Sequence, residues 1–279
     1  MGEKFFSHYD KNLQRGKLIH HHLHEVETAA QQSVPPFLHF DVLDADQVKE
    51  YAALTARFHD LGKYTSFFQE YLLNGKDSIY RSHAHISAWL LFRYLKTQGG
   101  KNIRHEKNGE VLFYLLYIIV RRHHSDLTLD RLFDTADIPK LEKELSAQLQ
   151  DLRNKSQILK EQLDLDTRLM VQASEETRLL NDPSLILGHQ RIRKQNNRHE
   201  RWYFLLIYLF SQLVDKDKFS AAELQFRPVK LVQPDRVVEY ISEKQKDAAS
   251  NVGDDRDLAR RTIIRQLEKL SEEGLKQVK

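Results

Sequence analysis

Fourteen histidines and no cysteine set the chemistry open to this 279-residue chain. Without thiols there are no disulfides, thiolate zinc sites, iron–sulfur clusters or cysteine nucleophiles, so a metal site must be built from imidazole and carboxylate. Ten of the histidines gather in five groups within the first 124 residues: His8; His20, His21, His22 and His24; His59 next to Asp60; His83 and His85; His123 and His124. A lone histidine at a helix end is more often a surface residue than a ligand, but five groups at or near predicted helix ends point to a shared centre. Neighbours on a helix point about 100° apart, so His59 and Asp60 serve one site only if the helix turns there. Leu61-Gly62 offers that turn, and Lys63 adds a fixed positive charge beside it. A carboxylate can bridge two cations while an imidazole binds one, so the pair suits a binuclear centre. In the first run His20 and His24 share one face and His22 lies on another, so only part of the run can meet a site. The tandem His123-His124 closes a very apolar segment, where the backbone is rigid enough to hold a metal. The missing terminal carboxylate falls on Asp215 or Asp217, at the end of a second apolar segment.

The elements that must position these residues are helices. Ten glycines and six prolines are few, and Leu, Lys, Glu, Gln and Arg are abundant. Helical patterns run over 17–32, ending before Pro35-Pro36, and over about 44–61, stopping at Gly62 as a C′ residue. Thr65 or Ser66 caps a third helix, broken at Asn74-Gly75, and Ser82 caps a fourth that reaches Gly99-Gly100. The stretch 111–120, apolar nearly all round, predicts a central buried helix, and 202–214 predicts another. Between them, 138–179 carries leucines at helical spacing among dense charge, which reads as a solvated two-helix arm. Two polar amphipathic helices are expected over 235–249 and 254–277. No sustained alternation demands strands. The expected fold is therefore all-α: an orthogonal helical bundle with an inserted arm and a C-terminal helical tail. The division places a main domain over 1–230, with 138–200 as the inserted arm and basic segment, and a 231–279 extension.

Charge is close to balanced, 43 Lys and Arg against 40 Asp and Glu, so any nucleic-acid surface must be a local patch. Arg121 and Arg122 beside the tandem histidines, and Arg191, Arg193, Lys194, Arg198 and Arg201 ahead of Trp202, are the candidates. No apolar run approaches 18 residues and the start has no signal-peptide core, so the expectation is a cytoplasmic protein without a membrane span.

The order His, His-Asp, His, His-His, Asp on a helical chain resembles the HD superfamily of metal-dependent phosphohydrolases. Its details are similar to one branch, the CRISPR-associated HD nuclease domain of type I helicase–nucleases. The stretches that carry the resemblance are Phe5-Phe6-Ser7-His8-Tyr9, His22-Leu23 with Val26, His59 to Lys63 followed by Phe68-Gln69, His83 with Ser87-Ala88, Arg122 to Ser125, and Leu213 to Asp217. They span about residues 5–220. Here Lys216 stands where the family usually has Ala, and Ser125 where it often has Gly.

The resemblance implies an HD-superfamily bundle and metal ligands at His22, His59, Asp60, His83, His123, His124 and Asp217. His20 or His24 remains open in place of His22, and Asp215 in place of Asp217. Asp60 would bridge two cations, one completed by His22, His59 and Asp217, the other by His83, His123 and His124. Asp60 and Lys63 would be catalytic. Imidazole-rich ligation favours Mn, Fe, Co, Ni or Zn over Mg. The implied activity is endonucleolytic cleavage of single-stranded DNA, with exonucleolytic cutting also open to such a centre, in type I CRISPR interference. The implied partners are a helicase portion, in cis or as a separate chain, and the crRNA-guided surveillance complex. The sequence has no G-x-x-x-x-G-K-[ST], hence no P-loop for ATP. The rival readings are an HD nucleotide phosphohydrolase and a catalytically silent docking module.

Overall fold

The computed structural model describes residues 3–38, 40, 43–99, 109–125, 127, 138–175, 182–194 and 199–222. The expected helices over 235–249 and 254–277, and the whole 231–279 extension, lie outside the described residues. Among the described residues ten α-helices accompany one two-stranded sheet, so the chain is mostly helical. No described helix is long and apolar enough to cross a membrane.

The chain opens with the hairpin that the sequence reading does not anticipate. Strands β1 (Phe6–Asp10) and β2 (Arg15–Leu18) pair antiparallel, His8 opposite Lys17 and Asp10 opposite Arg15. Asp10 Oδ1 accepts from the backbone N–H of Asn12 and Leu13 and so builds the turn. Gly16 lies under Phe6 and Tyr9, whose rings would sit 2.4 and 2.6 Å from an added Cβ. Helix α1 (Ile19–Gln32) therefore starts two residues later than the pattern suggests, because Lys17 and Leu18 belong to the strand. Its Ile19, Leu23, Val26 and Ala30 are buried, a clean helical stripe.

Helix α2 (Ala45–Phe58) starts at a capping box between Asp44 and Gln47. It does not run to Leu61. The chain leaves the α-helix at His59 and Asp60, then winds into a 3-10 turn over Leu61–Tyr64. Gly62 is not the left-handed stop expected of it: Gly75, at φ 70°, is the one described glycine with positive φ. Gly62 is needed for closeness instead. An added Cβ would lie 2.5 Å from the His83 carbonyl oxygen and 2.4 Å from Ile86 Cγ2.

Helix α3 (Ser66–Asn74) is capped by Thr65, whose hydroxyl accepts from the Phe68 N–H, and closes on Gly75. Helix α4 (Ala84–Tyr94) starts from His83 rather than Ser82, and a π-helical turn, Leu95–Gly99, extends it. Helix α5 (Gly109–Arg122) is buried all round from Val111 to Val120, as its sequence predicts.

The segment read as a solvated two-helix arm is different. It forms α6 (Ile138–Asn154), α7 (Ser156–Leu163) and α8 (Thr167–Glu175), followed by α9 (Pro183–Lys194). Leu145, Leu149, Leu152, Leu159 and Leu169 are fully buried within the common core. The leucine spacing is right and the solvated surroundings are not: this stripe faces α4, which already buries Trp89 and Leu91. Trp89 Nε1 donates to the Ala173 carbonyl across that contact. Helix α10 (His199–Ala221) closes the described chain and packs on α1 and α2.

Candidate metal centre

Each ligand-type side chain reaches one place from a separate element. His22 projects from the buried stripe of α1, next to Leu23. His59 and Asp60 sit where α2 gives way to the 3-10 turn, which lets neighbours in sequence face the same opening. His83 is the N-cap of α4, His123 and His124 follow the end of α5, and Asp217 lies in the last turns of α10. Every residue for which the resemblance implies a ligand role is at the cluster. The alternatives are not: His24 is exposed, half-buried His20 lies against the His21 ring and beside Gln162, and Asp215 faces outward in an ion pair with Lys216 at 2.7 Å. His85 turns into the core beside Tyr117, where burial pushes it down to about 3.

The groups divide into two sets that share Asp60. In one, His22, His59, Asp60 and Asp217 offer ligand atoms all within 4.8 Å of one another; in the other, Asp60, His83, His123 and His124 do the same. The carboxylate is split between them. Asp60 Oδ2 lies 3.3 Å from His22 Nε2 and 3.4 Å from His59 Nε2, while Oδ1 lies 3.0 Å from His83 Nε2 and 3.4 Å from His123 Nε2. Asp217 Oδ1 completes the first set, 3.2 Å from His22 and 3.5 Å from His59. His83 and His124 meet Nε2 to Nε2 at 2.9 Å.

Hydrogen bonds on the far side of the rings aim these nitrogens. His59 Nδ1 donates to the Ala56 carbonyl and His123 Nδ1 to the Val120 carbonyl, both at 2.6 Å. A carbonyl only accepts, so each Nδ1 must carry a proton, which leaves Nε2 as the ring nitrogen able to offer a lone pair to the cluster. Lone pairs facing carboxylate oxygens repel unless a cation lies between them. His22 Nε2, His59 Nε2, His123 Nε2, both Asp60 oxygens and Asp217 Oδ1 are buried without a hydrogen-bond partner. Orphaned buried acceptors on this scale are costly in a protein interior, and a set converging on two points fits divalent metal ions.

The electrostatics agree. Burial alone would raise the Asp60 carboxyl, yet the Lys63 ammonium and the surrounding imidazoles hold it well below its usual range. Lys63 Nζ lies 2.6 Å from Oδ2, close enough for an ion pair though off hydrogen-bonding geometry. Burial likewise works against the Asp217 carboxylate, and His22 and His59 overcome it, lowering its pKa. Burial opposes charging His22 too, but Asp217 and Asp60 outweigh that and raise its pKa. Burial pushes His83 down to about 4, and burial with its histidine neighbours pushes His124 down to about 3. Two ionised carboxylates and two neutral imidazoles are ready to ligate at neutral pH.

A further histidine adjoins the cluster. His8, on β1, sets its ring edge-on to His22 at 5.2 Å between centroids. The Phe-Ser-His-Tyr stretch carries the resemblance, but only the unanticipated hairpin brings His8 to the centre. The basic candidates fare differently. Arg191 forms an ion pair with Glu110 at 2.6 Å, at the opposite end of α5 from His123 and so about 20 Å from it along the helix. Arg121 bonds to Tyr117 beside His85, and Arg122 is half-buried. The side chains of Arg193, Lys194 and Arg201, and Arg198 altogether, lie outside the described residues.

Comparison with known proteins adds no relative: no family model, curated protein or solved structure matches the chain.

Proposed function

We propose that this chain is a metal-dependent phosphodiesterase of the HD superfamily that cleaves single-stranded DNA, in the manner of CRISPR-associated HD nucleases. The observation that carries this reading is the division of Asp60, whose two oxygens face two separate sets of histidines. His22, His59, Asp60 and Asp217 would hold one divalent transition-metal ion, and Asp60, His83, His123 and His124 a second. When bound, such a pair acidifies water and neutralises charge on a phosphodiester undergoing in-line displacement.

The chain's own residues do the rest. Asp60 and Asp217 supply the two negative charges that two dications need in a buried setting. Lys63, held against Asp60, keeps a positive charge within reach of the phosphate oxygens. The burial gradient supports a polymeric substrate: His22, His59, Asp60 and His123 are sealed, whereas His124 is exposed and His83 and Asp217 are about one-eighth exposed at the side chain. The cluster thus opens on one side, where a strand could lie across it. The same reading assigns as partners a helicase portion and a crRNA-guided surveillance complex.

Metal analysis of the purified chain together with cleavage assays tests this. Two cations per chain and nicking of circular single-stranded DNA are expected, with His124→Ala retaining about one cation and cutting poorly. Hydrolysis of free nucleotides without nicking would replace the nuclease reading by a nucleotide phosphohydrolase. A chain that binds no cation and hydrolyses neither would be a docking module.

A further inference from the structure

Of the three anchored histidines, His22 alone is oriented by side chains from distant parts of the chain. His59 and His123 donate to carbonyls three residues back on their own helices. His22 Nδ1 instead lies 2.9 Å from Ser220 Oγ, at the end of α10. Ser220 Oγ also lies 2.9 Å from Glu25 Oε2 and 2.9 Å from Lys17 Nζ, and Lys17 reaches the Ser220 carbonyl at 2.8 Å while pairing with Glu25.

The proton count in this network has one solution. A hydroxyl has a single proton and two lone pairs. Glu25, ionised, can only accept: burial would raise its pKa, but Lys17 and Ser220 lower it. Lys17 can only donate. The Ser220 proton therefore goes to Glu25, one lone pair takes a Lys17 N–H, and the other is left for His22, which must donate from Nδ1. In the neutral, ligating form of the ring that places the His22 lone pair on Nε2, toward Asp60 and Asp217.

We infer that Ser220, held by Glu25 and Lys17, is a positioning residue that fixes the His22 tautomer and thereby sets the affinity of the His22–His59–Asp60–Asp217 subsite for a divalent cation, leaving the other subsite alone. The inference rests on the two-cation reading above. Outer hydrogen bonds of this kind typically change metal affinity by about 10–100-fold.

The test is Mn²⁺ titration of the full chain by calorimetry, resolving two classes of site. Ser220→Ala removes the acceptor of the His22 proton and should weaken one class by about 10–100-fold, with the other class and the circular dichroism spectrum unchanged. Ser220→Thr, which keeps the hydroxyl, should restore it. Because Ser220 is buried, Glu25→Ala at an exposed side chain is the second variant. It frees the hydroxyl proton to face His22 and should weaken the same class in the same direction. Two unperturbed classes in folded Ser220→Ala and Glu25→Ala, or an equal loss in both classes, would overturn the inference while leaving the binuclear centre standing. A wild-type chain that binds no Mn²⁺ would overturn the centre itself, and this inference with it.

Discussion

Asp60 concentrates the demands of the site in one side chain. It is fully buried, ionised, and approached by four imidazoles and an ammonium. Asp60→Asn keeps the shape and removes the charge, replacing one oxygen by an N–H₂ that must face lone pairs. The expected outcome is loss of DNA cleavage by at least about 10³-fold and loss of most bound metal, with the fold retained; cleavage assays beside metal analysis check it. Asp60 was legible because a carboxylate after a histidine, a turn and a lysine is a small, local pattern. The choice of His22 over His20 and His24 was not legible from ligand chemistry. It follows from which face of α1 buries Leu23 and Val26, a packing fact that the apolar stripe carries and the histidine run conceals.

At the scale of elements, the inserted helices hold the site in place. Gln148 on α6 is buried, and its side-chain amide donates to the carbonyls of Tyr80 at 2.7 Å and Ser82 at 2.6 Å, immediately before His83. Asp151, one turn further, accepts from the N–H of Ser66 and so satisfies a donor in the first turn of α3 beside the Thr65 cap. Gln148→Leu orphans two carbonyls and loosens the lead-in to His83. It should cost about 1–3 kcal/mol of stability in denaturant titrations and lower affinity for the cation held by His83 more than for the other. Periodicity marks this stretch as helical but as two helices where there are three, and its polar faces suggest an arm in water. Nothing local distinguishes a glutamine that faces solvent from one that ties down a loop. The hairpin was invisible for a similar reason: strands of five and four residues are too short for alternation to show. Close approach was equally hidden at Gly188 on α9, where an added Cβ would lie 2.2 Å from the Glu110 carbonyl oxygen on α5. Gly188→Ala should therefore destabilise by roughly 1–3 kcal/mol despite better helix propensity, a sign that thermal melts will read directly.

For the molecule as a whole, the proposed two-cation reading makes stability depend on metal. Without cations, several lone pairs and two carboxylates are crowded into a small buried volume, and among the described residues Lys63 is the ammonium in contact with Asp60. A cation that binds the folded chain and not the unfolded one adds about 2.7 kcal/mol at 100 times its dissociation constant. For a domain of this size that is on the order of 5–10 °C in melting temperature. Mn²⁺ should raise the melting temperature of wild type by that margin and leave Asp60→Asn nearly unmoved; an equal rise in both would trace the effect to surface binding elsewhere. The helical class of the chain was plain from composition, since few glycines and prolines leave long helices as the economical fold. How five separated helix ends converge on one point was not, because that depends on crossing geometry rather than on any residue type.

The order in which those residues occur along the chain has a consequence for synthesis. A chain emerges from its N-terminus, and Asp60, His83, His123 and His124 have all been synthesised once residue 124 has been made, with Gln148, which ties down the lead-in to His83, following soon after. Asp217 and Ser220 come almost a hundred residues later. A nascent chain can therefore assemble one half of the centre long before the other, and the half that needs α10 stays open until α10 folds back onto α1. An activity that requires both halves is withheld from every incomplete chain, so a nuclease built this way would be silent on the ribosome and competent only when its last described helix docks.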